Sequence, residues 1–239
     1  MSSSAALTTN WVLYGVQYAA YILELCIAVS LVRGGRWRRL KGLALYVAIL
    51  FLLDGVARPA VYHFFGRSSA QYFYFYFTTD VVFALTTSLV ICGFYWRACL
   101  KKEKLWGHAR LLLILVFFLV LAAAAARSFI RGLDNPRLSV LMMIEFSQSL
   151  YIACLVLNTL IYVMLKVFAI DDGELGLLVF GLGLQLASGA VGFALLHSTF
   201  YHDMARAFMV FMAPAGTLGM LLVWLYALAW RSGNVELTG

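Results

Sequence analysis

Apolar residues run along this chain in seven long blocks, and short polar segments separate each block from the next. Each block has about 20 residues or more, the length that an α-helix needs to cross the ~30 Å hydrocarbon layer of a membrane. The pattern predicts an all-α polytopic membrane protein, a bundle of seven transmembrane helices that forms one domain over residues 1–239. The predicted spans are residues 11–32, 42–65, 71–96, 109–128, 139–168, 175–197 and 204–230.

The composition agrees with a lipid environment. Apolar residues make up 64% of the chain and charged residues 12%, whereas soluble domains have about 45–50% and about 25%. No Lys or Arg occurs in Met1–Asn10, so we expect the first block to be a span and not a cleavable signal peptide. The four cysteines lie inside predicted spans without C-x-x-C spacing, and we expect them to be small packing residues. They are Cys26, Cys92, Cys99 and Cys154.

The net charge of +7 is distributed unevenly between the connections. The first and third connections, with the ends of two later spans, hold twelve of the eighteen basic residues. Because an excess of Lys and Arg marks the cytoplasmic face, we expect the N-terminus outside, the C-terminus in the cytoplasm, and insertion in the inner (plasma) membrane. Because these charges lie at the span ends, we expect them to interact with the anionic head groups of the lipid bilayer, and they do not indicate binding to a nucleic acid. The twelve are Arg33, Arg36, Arg38, Arg39, Lys41, Arg97, Lys101, Lys102, Lys104, Arg110, Lys166 and Arg231.

Polar residues inside the predicted spans are the candidates for ligand binding. Ionisable groups in a span are costly and usually face the bundle interior or a hydrated cavity. The candidates are Glu24, Asp54, Arg58, Tyr76, Asp80, Glu145 and Gln148.

The second span carries an acid and a base on one helical face. Asp54 and Arg58 are four residues apart, a spacing that allows them to pair within one helix. Pro59 follows directly and has no backbone N–H to donate to the carbonyl of Gly55. The sequence therefore predicts a kink beside the charge pair.

Three other spans contribute the remaining candidates. Tyr76 and Asp80 share a face of the third span, Glu145 and Gln148 share a face of the fifth, and Glu24 ends a polar stripe on the first. With the N-terminus outside, Asp54, Arg58, Asp80 and Glu145 fall in the outer half of the membrane and Glu24 lies nearer the middle, which predicts a polar cavity open to the outer side. The alternative, a satisfied polar network that only fixes helix packing, stays open.

The later spans show packing features and one span without polar groups. Gly181 and Ser188, among several small residues of the sixth span, predict close approach of a neighbouring helix. Pro214 and Gly216 predict a kink in the seventh. Residues 111–126 have no polar side chain, so we expect the fourth span to face lipid at the periphery.

The chain carries no recognisable cofactor or metal motif, and we expect neither. The last span has no lysine, which excludes a retinal Schiff base of the seven-helix type. His63, His197, His202 and Asp203 fall at the outer rim, but without the spacing of a zinc site. Because hydrolase and kinase signatures are also missing, the sequence favours a protein that is not an enzyme.

Two stretches carry a resemblance to other proteins. Tyr72–Tyr95, with its aromatic run and Thr78-Thr79-Asp80, and Glu145 through Gly192 resemble a group of uncharacterised seven-span proteins abundant in acidobacterial-type genomes. The resemblance is one of composition and residue pattern, and it covers roughly two-thirds of the chain. It implies a bacterial inner-membrane protein and no particular site residue.

Together these features favour a receptor-like protein, or an accessory subunit of a membrane complex, that binds a small ligand or a partner protein through the outer-half cavity. The short connections leave no room for an extramembrane domain, so it would work through another membrane protein or a second copy. Two alternatives stay open. One is a proton- or ion-coupled carrier of a small solute, with a relay of Glu24, Asp54, Asp80 and Glu145. The other is a membrane enzyme that uses two carboxylates on a lipid or isoprenoid substrate.

Overall fold

A computed structural model describes residues 3–33, 37, 39–66, 69–100, 138–170, 172–198 and 203–236, together with isolated positions between 107 and 126. Every regular element within these ranges is helical. The predicted fourth span, residues 109–128, lies outside the described residues except for those isolated positions.

Each of the other six predicted spans corresponds to helical structure. One of them, the second, is divided into an α-helix, a π-helical segment and a further α-helix. The elements are α1 (Ser3–Arg33), α2 (Lys41–Leu50), the π segment (Phe51–Ala57), α3 (Arg58–Phe65), α4 (Ala70–Leu100), α5 (Leu138–Val167), α6 (Gly173–Ser198) and α7 (Asp203–Glu236).

In the described part of the chain, five helical stretches are long and apolar enough to cross a membrane. A sixth apolar stretch, Pro214–Ala229 within α7, is shorter. This set of helices has the length and composition of a multi-pass membrane protein. The five stretches are Gly15–Arg33, Lys41–Phe65, Ala70–Leu100, Phe146–Val167 and Gly173–Val191.

The helices form two compact units. The first unit, Met1–Gly34 with Asp172–Gly239, contains α1, α6 and α7. The second unit, Gly35–Asp171, contains α2, the π segment, α3, α4 and α5.

In the first unit, α7 packs against both α1 and α6. The α1 face buries Ile27 and Leu31, at helical spacing, and the α6 face buries Leu178 and Leu182. Close packing of α6 on α7 centres on Trp224, whose fully buried side chain donates a hydrogen bond from Nε1 to the carbonyl of Leu178, 2.9 Å away. The indole hydrogen bond is therefore satisfied across the helix pair.

Small residues allow this approach of α6 and α7, as the sequence predicted. A Cβ added to Gly181 would lie 2.8 Å from the indole Cδ1 of Trp224. A Cβ on Gly216 would collide with the side chain of Ser188. The α7 helix continues through Pro214.

In the second unit, α4 contacts α2, α3 and α5. Its buried residues include Phe83, Ile91 and Phe94. On the α5 side, the hydroxyl of Tyr95 donates a hydrogen bond to the carbonyl of Leu157 at 3.2 Å. The α4 helix is therefore the element on which the other helices of this unit pack.

The predicted kink near Pro59 takes the form of a π segment. The backbone N–H of Arg58 donates to the carbonyl of Leu53, five residues earlier, instead of four as in an α-helix. In α geometry the ring of Pro59 would collide with the carbonyl of Gly55, and a wider turn relieves that collision. The helical path from Lys41 to Phe65 therefore widens where Asp54 and Arg58 lie.

A short turn joins α3 to α4 and sets them side by side. Gly66 ends α3 with φ of 74°, a left-handed conformation that glycine adopts without a Cβ clash. The hydroxyl of Ser69 accepts a hydrogen bond from the backbone N–H of Tyr72 at 3.1 Å and so caps the start of α4. The turn thus brings the α3 end of the second span against the start of the third.

Candidate functional site

The candidate site lies where α3 and the π segment meet α4. On α4, Tyr76, Thr79 and Phe83 follow one another at steps of three and four residues, which places them on one stripe of the helix. Arg58, the first residue of α3, reaches all three of these residues. The site is therefore built within the second unit.

Hydrogen bonds engage each nitrogen of the Arg58 guanidinium. Nη1 donates to the Asp54 carboxylate at 2.6 Å, and Nε donates to the hydroxyl of Thr79 at 2.9 Å. Nη2 lies 3.5 Å from the carbonyl of Tyr76. The Thr79 hydroxyl in turn donates to that carbonyl at 2.8 Å. One guanidinium therefore ties the π segment and α3 to α4.

Two aromatic rings also hold the guanidinium. The Arg58 Cζ lies 4.4 Å from the ring centroid of Tyr76 and 4.9 Å from that of Phe83. Both distances are within the range of cation–π attraction, which strengthens away from water. We call Arg58 with Asp54, Tyr76, Thr79 and Phe83 the arginine clamp.

Asp80 extends the cluster from the clamp to α5. Its carboxylate is hydrogen-bonded to the side chains of Ser147 and Tyr151, and it also interacts electrostatically with Arg58 and Asp54. Arg58 is therefore the positive group nearest to two carboxylates, paired with Asp54 at 2.6 Å and interacting with Asp80 at longer range. With both carboxylates ionised, these groups carry one excess negative charge, and in an apolar environment a proton or a cationic group would neutralise it.

The cluster is partly open. The Asp54 side chain is 35% exposed and that of Arg58 15%. Next to the clamp, the ring centroids of Tyr76 and Tyr72 are 6.3 Å apart, and those of Tyr72 and Tyr62 are 5.8 Å apart. Three tyrosines thus lead from Arg58 to the end of α3, offering ring faces and hydroxyl groups to an approaching solute.

The structure brings together four of the seven predicted site residues: Asp54, Arg58, Tyr76 and Asp80. Glu24 belongs to the first unit, where its side chain is 2% exposed. Gln148 lies on α5 and is half-buried. Glu145 is in the helical part of α5 whose side chains fall outside the described residues, as do the side chains of His197, His202 and Asp203.

Four contributors were not among the sequence candidates: Thr79, Phe83, Ser147 and Tyr151. Helical spacing could have indicated two of them, since Thr79 and Phe83 are three and seven residues after Tyr76. On α5, Tyr151 is three residues after the predicted Gln148, so the same spacing could have indicated it as well. Ser147 directly precedes Gln148 and lies on a buried face that continues through Leu150 and Cys154, which the stripe of Glu145 and Gln148 does not include.

Comparison with known protein families, curated proteins and solved structures gives no match for this chain. The chemistry of its own residues is therefore the basis for a functional interpretation. No group of three or more His, Cys, Asp or Glu suited to a metal ion occurs in the described ranges.

Proposed function

We propose that this protein is a receptor-like or accessory membrane protein, and not an enzyme, that binds a small ligand through the polar cluster of Asp54, Arg58 and Asp80. The observation that carries the proposal is that Asp54 and Asp80 both interact with the single guanidinium of Arg58, while the Asp54 side chain remains 35% exposed. An ion pair that served only helix packing would be expected to be buried, because an exposed pair contributes little to stability.

The charge balance indicates the class of ligand. One excess carboxylate in an apolar protein favours a solute with a positive group, such as an amine or a quaternary ammonium. The tyrosine rings beside the clamp suit the same class, because aromatic faces attract cations. A zwitterion would additionally meet the Arg58 guanidinium with its own carboxylate.

Topology and setting are part of the proposal. The basic connections support a seven-span arrangement in a bacterial inner membrane with the N-terminus outside. The cluster would then lie in the outer half and receive its ligand from that side. Signalling would pass to a partner membrane protein or to a second copy of the chain. The resemblance to uncharacterised seven-span proteins of acidobacterial-type genomes fits the same setting.

A solute panel tests the proposed binding. Purified protein in nanodiscs is titrated calorimetrically with choline, glycine betaine, ethylamine, acetate and inorganic phosphate. We expect choline, glycine betaine or ethylamine to bind, and acetate and phosphate not to bind. Asp54→Asn and Asp80→Asn should each abolish binding, since each removes the excess negative charge.

The matched control is Thr78→Val, because the Thr78 hydroxyl is exposed and bonds only within α4, to the carbonyl of Tyr74 at 2.8 Å. This variant should bind as the wild type does. Should no cationic or zwitterionic solute bind, or should the carboxylate variants bind normally and unfold at higher temperature, the cluster is a packing network and the proposal is wrong.

A proton-coupled carrier is the second candidate, and the same charge balance supports it. Two carboxylates that share one guanidinium can exchange a proton for a cationic solute without leaving net charge in the membrane. The solute panel separates the two functions when it is repeated with proteoliposomes. A carrier accumulates the bound solute in response to a pH gradient, whereas a receptor binds it without uptake.

A further inference from the structure

We infer that the arginine clamp is a latch that holds the π segment in its widened form, and that opening the latch shifts the register of α3 by one residue. One part of the inference rests on the proposed function: a cationic ligand would open the latch by pairing with Asp54 in place of Arg58. The structural switch itself follows from how the second span is packed.

The two helices that flank the π segment are held in different ways. Upstream, α2 buries Leu43, Tyr46, Val47 and Leu50 and packs on α4. Neither the π segment nor α3 has any fully buried residue. The contacts of α3 with α4 include the polar and aromatic contacts of Arg58 and the ring contact of Tyr62 with Tyr72. The apolar core therefore fixes α2, and the clamp fixes α3.

A π turn stores one more residue than an α turn. Its hydrogen bonds run over five residues, as the Arg58 N–H to Leu53 carbonyl bond does here, instead of four. If α2 stays in place and the segment returns to α geometry, every later residue advances by about 1.5 Å and rotates by about 100°. Val61 then takes the place that Tyr62 occupies in the widened form.

Two groups oppose that return. The first is the clamp, because Arg58 would leave Thr79 and the rings of Tyr76 and Phe83. The second is Pro59, whose ring favours the wider turn, so that the α form bends at this residue. Such wide turns in α-helices are rare and are found frequently at functional sites. Ligand binding at Asp54 removes the 2.6 Å ion pair that holds Arg58 to the π segment, so the guanidinium is then held only by its contacts with α4.

Cross-linking between α3 and α4 measures directly which residue of α3 lies next to a given residue of α4. In a chain whose four native cysteines are replaced by alanine, one cysteine is placed at Tyr72 and the second at either Tyr62 or Val61. A short thiol-specific cross-linker is then applied to the detergent-purified protein. With the clamp intact, we expect the pair at 62 and 72 to react and the pair at 61 and 72 not to react.

The same pairs are then measured with Arg58→Gln or Asp54→Ala. Either change should move the reactive partner of position 72 from 62 to 61, a gain of signal that an unfolded protein would not give. A pair at Gly42 and Leu89 is the control for α2, since a Cβ on Gly42 lies 3.6 Å from the carbonyl of Leu89. Its reaction should be unchanged in all variants.

The inference is overturned if position 62 stays the partner of 72 in both clamp variants, or if reaction at 62 disappears without a gain at 61 while the control pair persists. The measurement uses no ligand. A failure of the solute panel therefore bears on the proposed function alone, and an unchanged cross-link bears on the latch alone.

Discussion

Arg58→Gln is expected to lower the free energy of unfolding by about 2–3 kcal/mol, somewhat less than the ~3–5 kcal/mol typical of a broken buried ion pair. The loss arises because Asp54 and Asp80 would remain in an apolar protein without their shared guanidinium. The cost is reduced because the Asp54 side chain is partly exposed, and an exposed ion pair contributes less than a buried one. The measurement is the free energy of unfolding in mixed micelles, compared with that of the wild type.

Two further variants separate charge from geometry. Arg58→Lys keeps the positive charge but loses the planar fork that contacts Asp54 and Thr79 together, so its stability should be intermediate. Adding Asp54→Asn to Arg58→Gln should restore part of the loss, because one of the two carboxylates that lose the guanidinium is removed. Equal stability of Arg58→Gln and the wild type would mean that the guanidinium does not balance the carboxylates.

Trp224→Ala is expected to lower the free energy of unfolding by about 3–5 kcal/mol, the usual cost of deleting a large buried aromatic side chain. Trp224 is fully buried in the first unit. Its removal leaves a cavity beside Gly181 and breaks the 2.9 Å hydrogen bond to Leu178. Unfolding in mixed micelles again provides the measurement.

Trp224→Phe is the matched control for this change. It keeps an aromatic ring but loses the indole N–H, so we expect a smaller loss of about 1–3 kcal/mol, from the missing hydrogen bond and the smaller ring. If Trp224→Ala cost no more than Trp224→Phe, packing of the indole against Gly181 would not hold α6 to α7.

Helical periodicity predicted the elements and the local pairs of the site. Blocks of apolar residues correspond to helices in the described ranges, and the spacing of Asp54 and Arg58 correctly predicted an ion pair within one span. These features depend on neighbours a turn apart, which any helix brings together. The proline effect was also predicted, although as a kink and not as a π turn.

Contacts between helices were harder to predict because they depend on the rotation of one helix against another. Tyr76 and Asp80 share a face of α4, yet Tyr76 stacks on Arg58 whereas Asp80 also bonds α5. Glu24 was grouped with these residues because it is an acid inside a span; it lies in the first unit, and its place in the site stays a prediction. A single helical pattern contains no information about which partner helix each side of a stripe meets.

Water access to Asp80 from outside the cell tests the central claim most directly. In a chain without native cysteines, a cysteine at position 80 is compared with cysteines at positions 78 and 82, which are exposed on the opposite face of α4 and bracket Asp80 along the helix. A membrane-impermeant thiol reagent is added to spheroplasts. Because only a hydrated thiol ionises and reacts, Asp80→Cys should be labelled faster than both Thr78→Cys and Val82→Cys. Labelling of Asp80→Cys no faster than that of either neighbour would contradict a hydrated site open to the outer side.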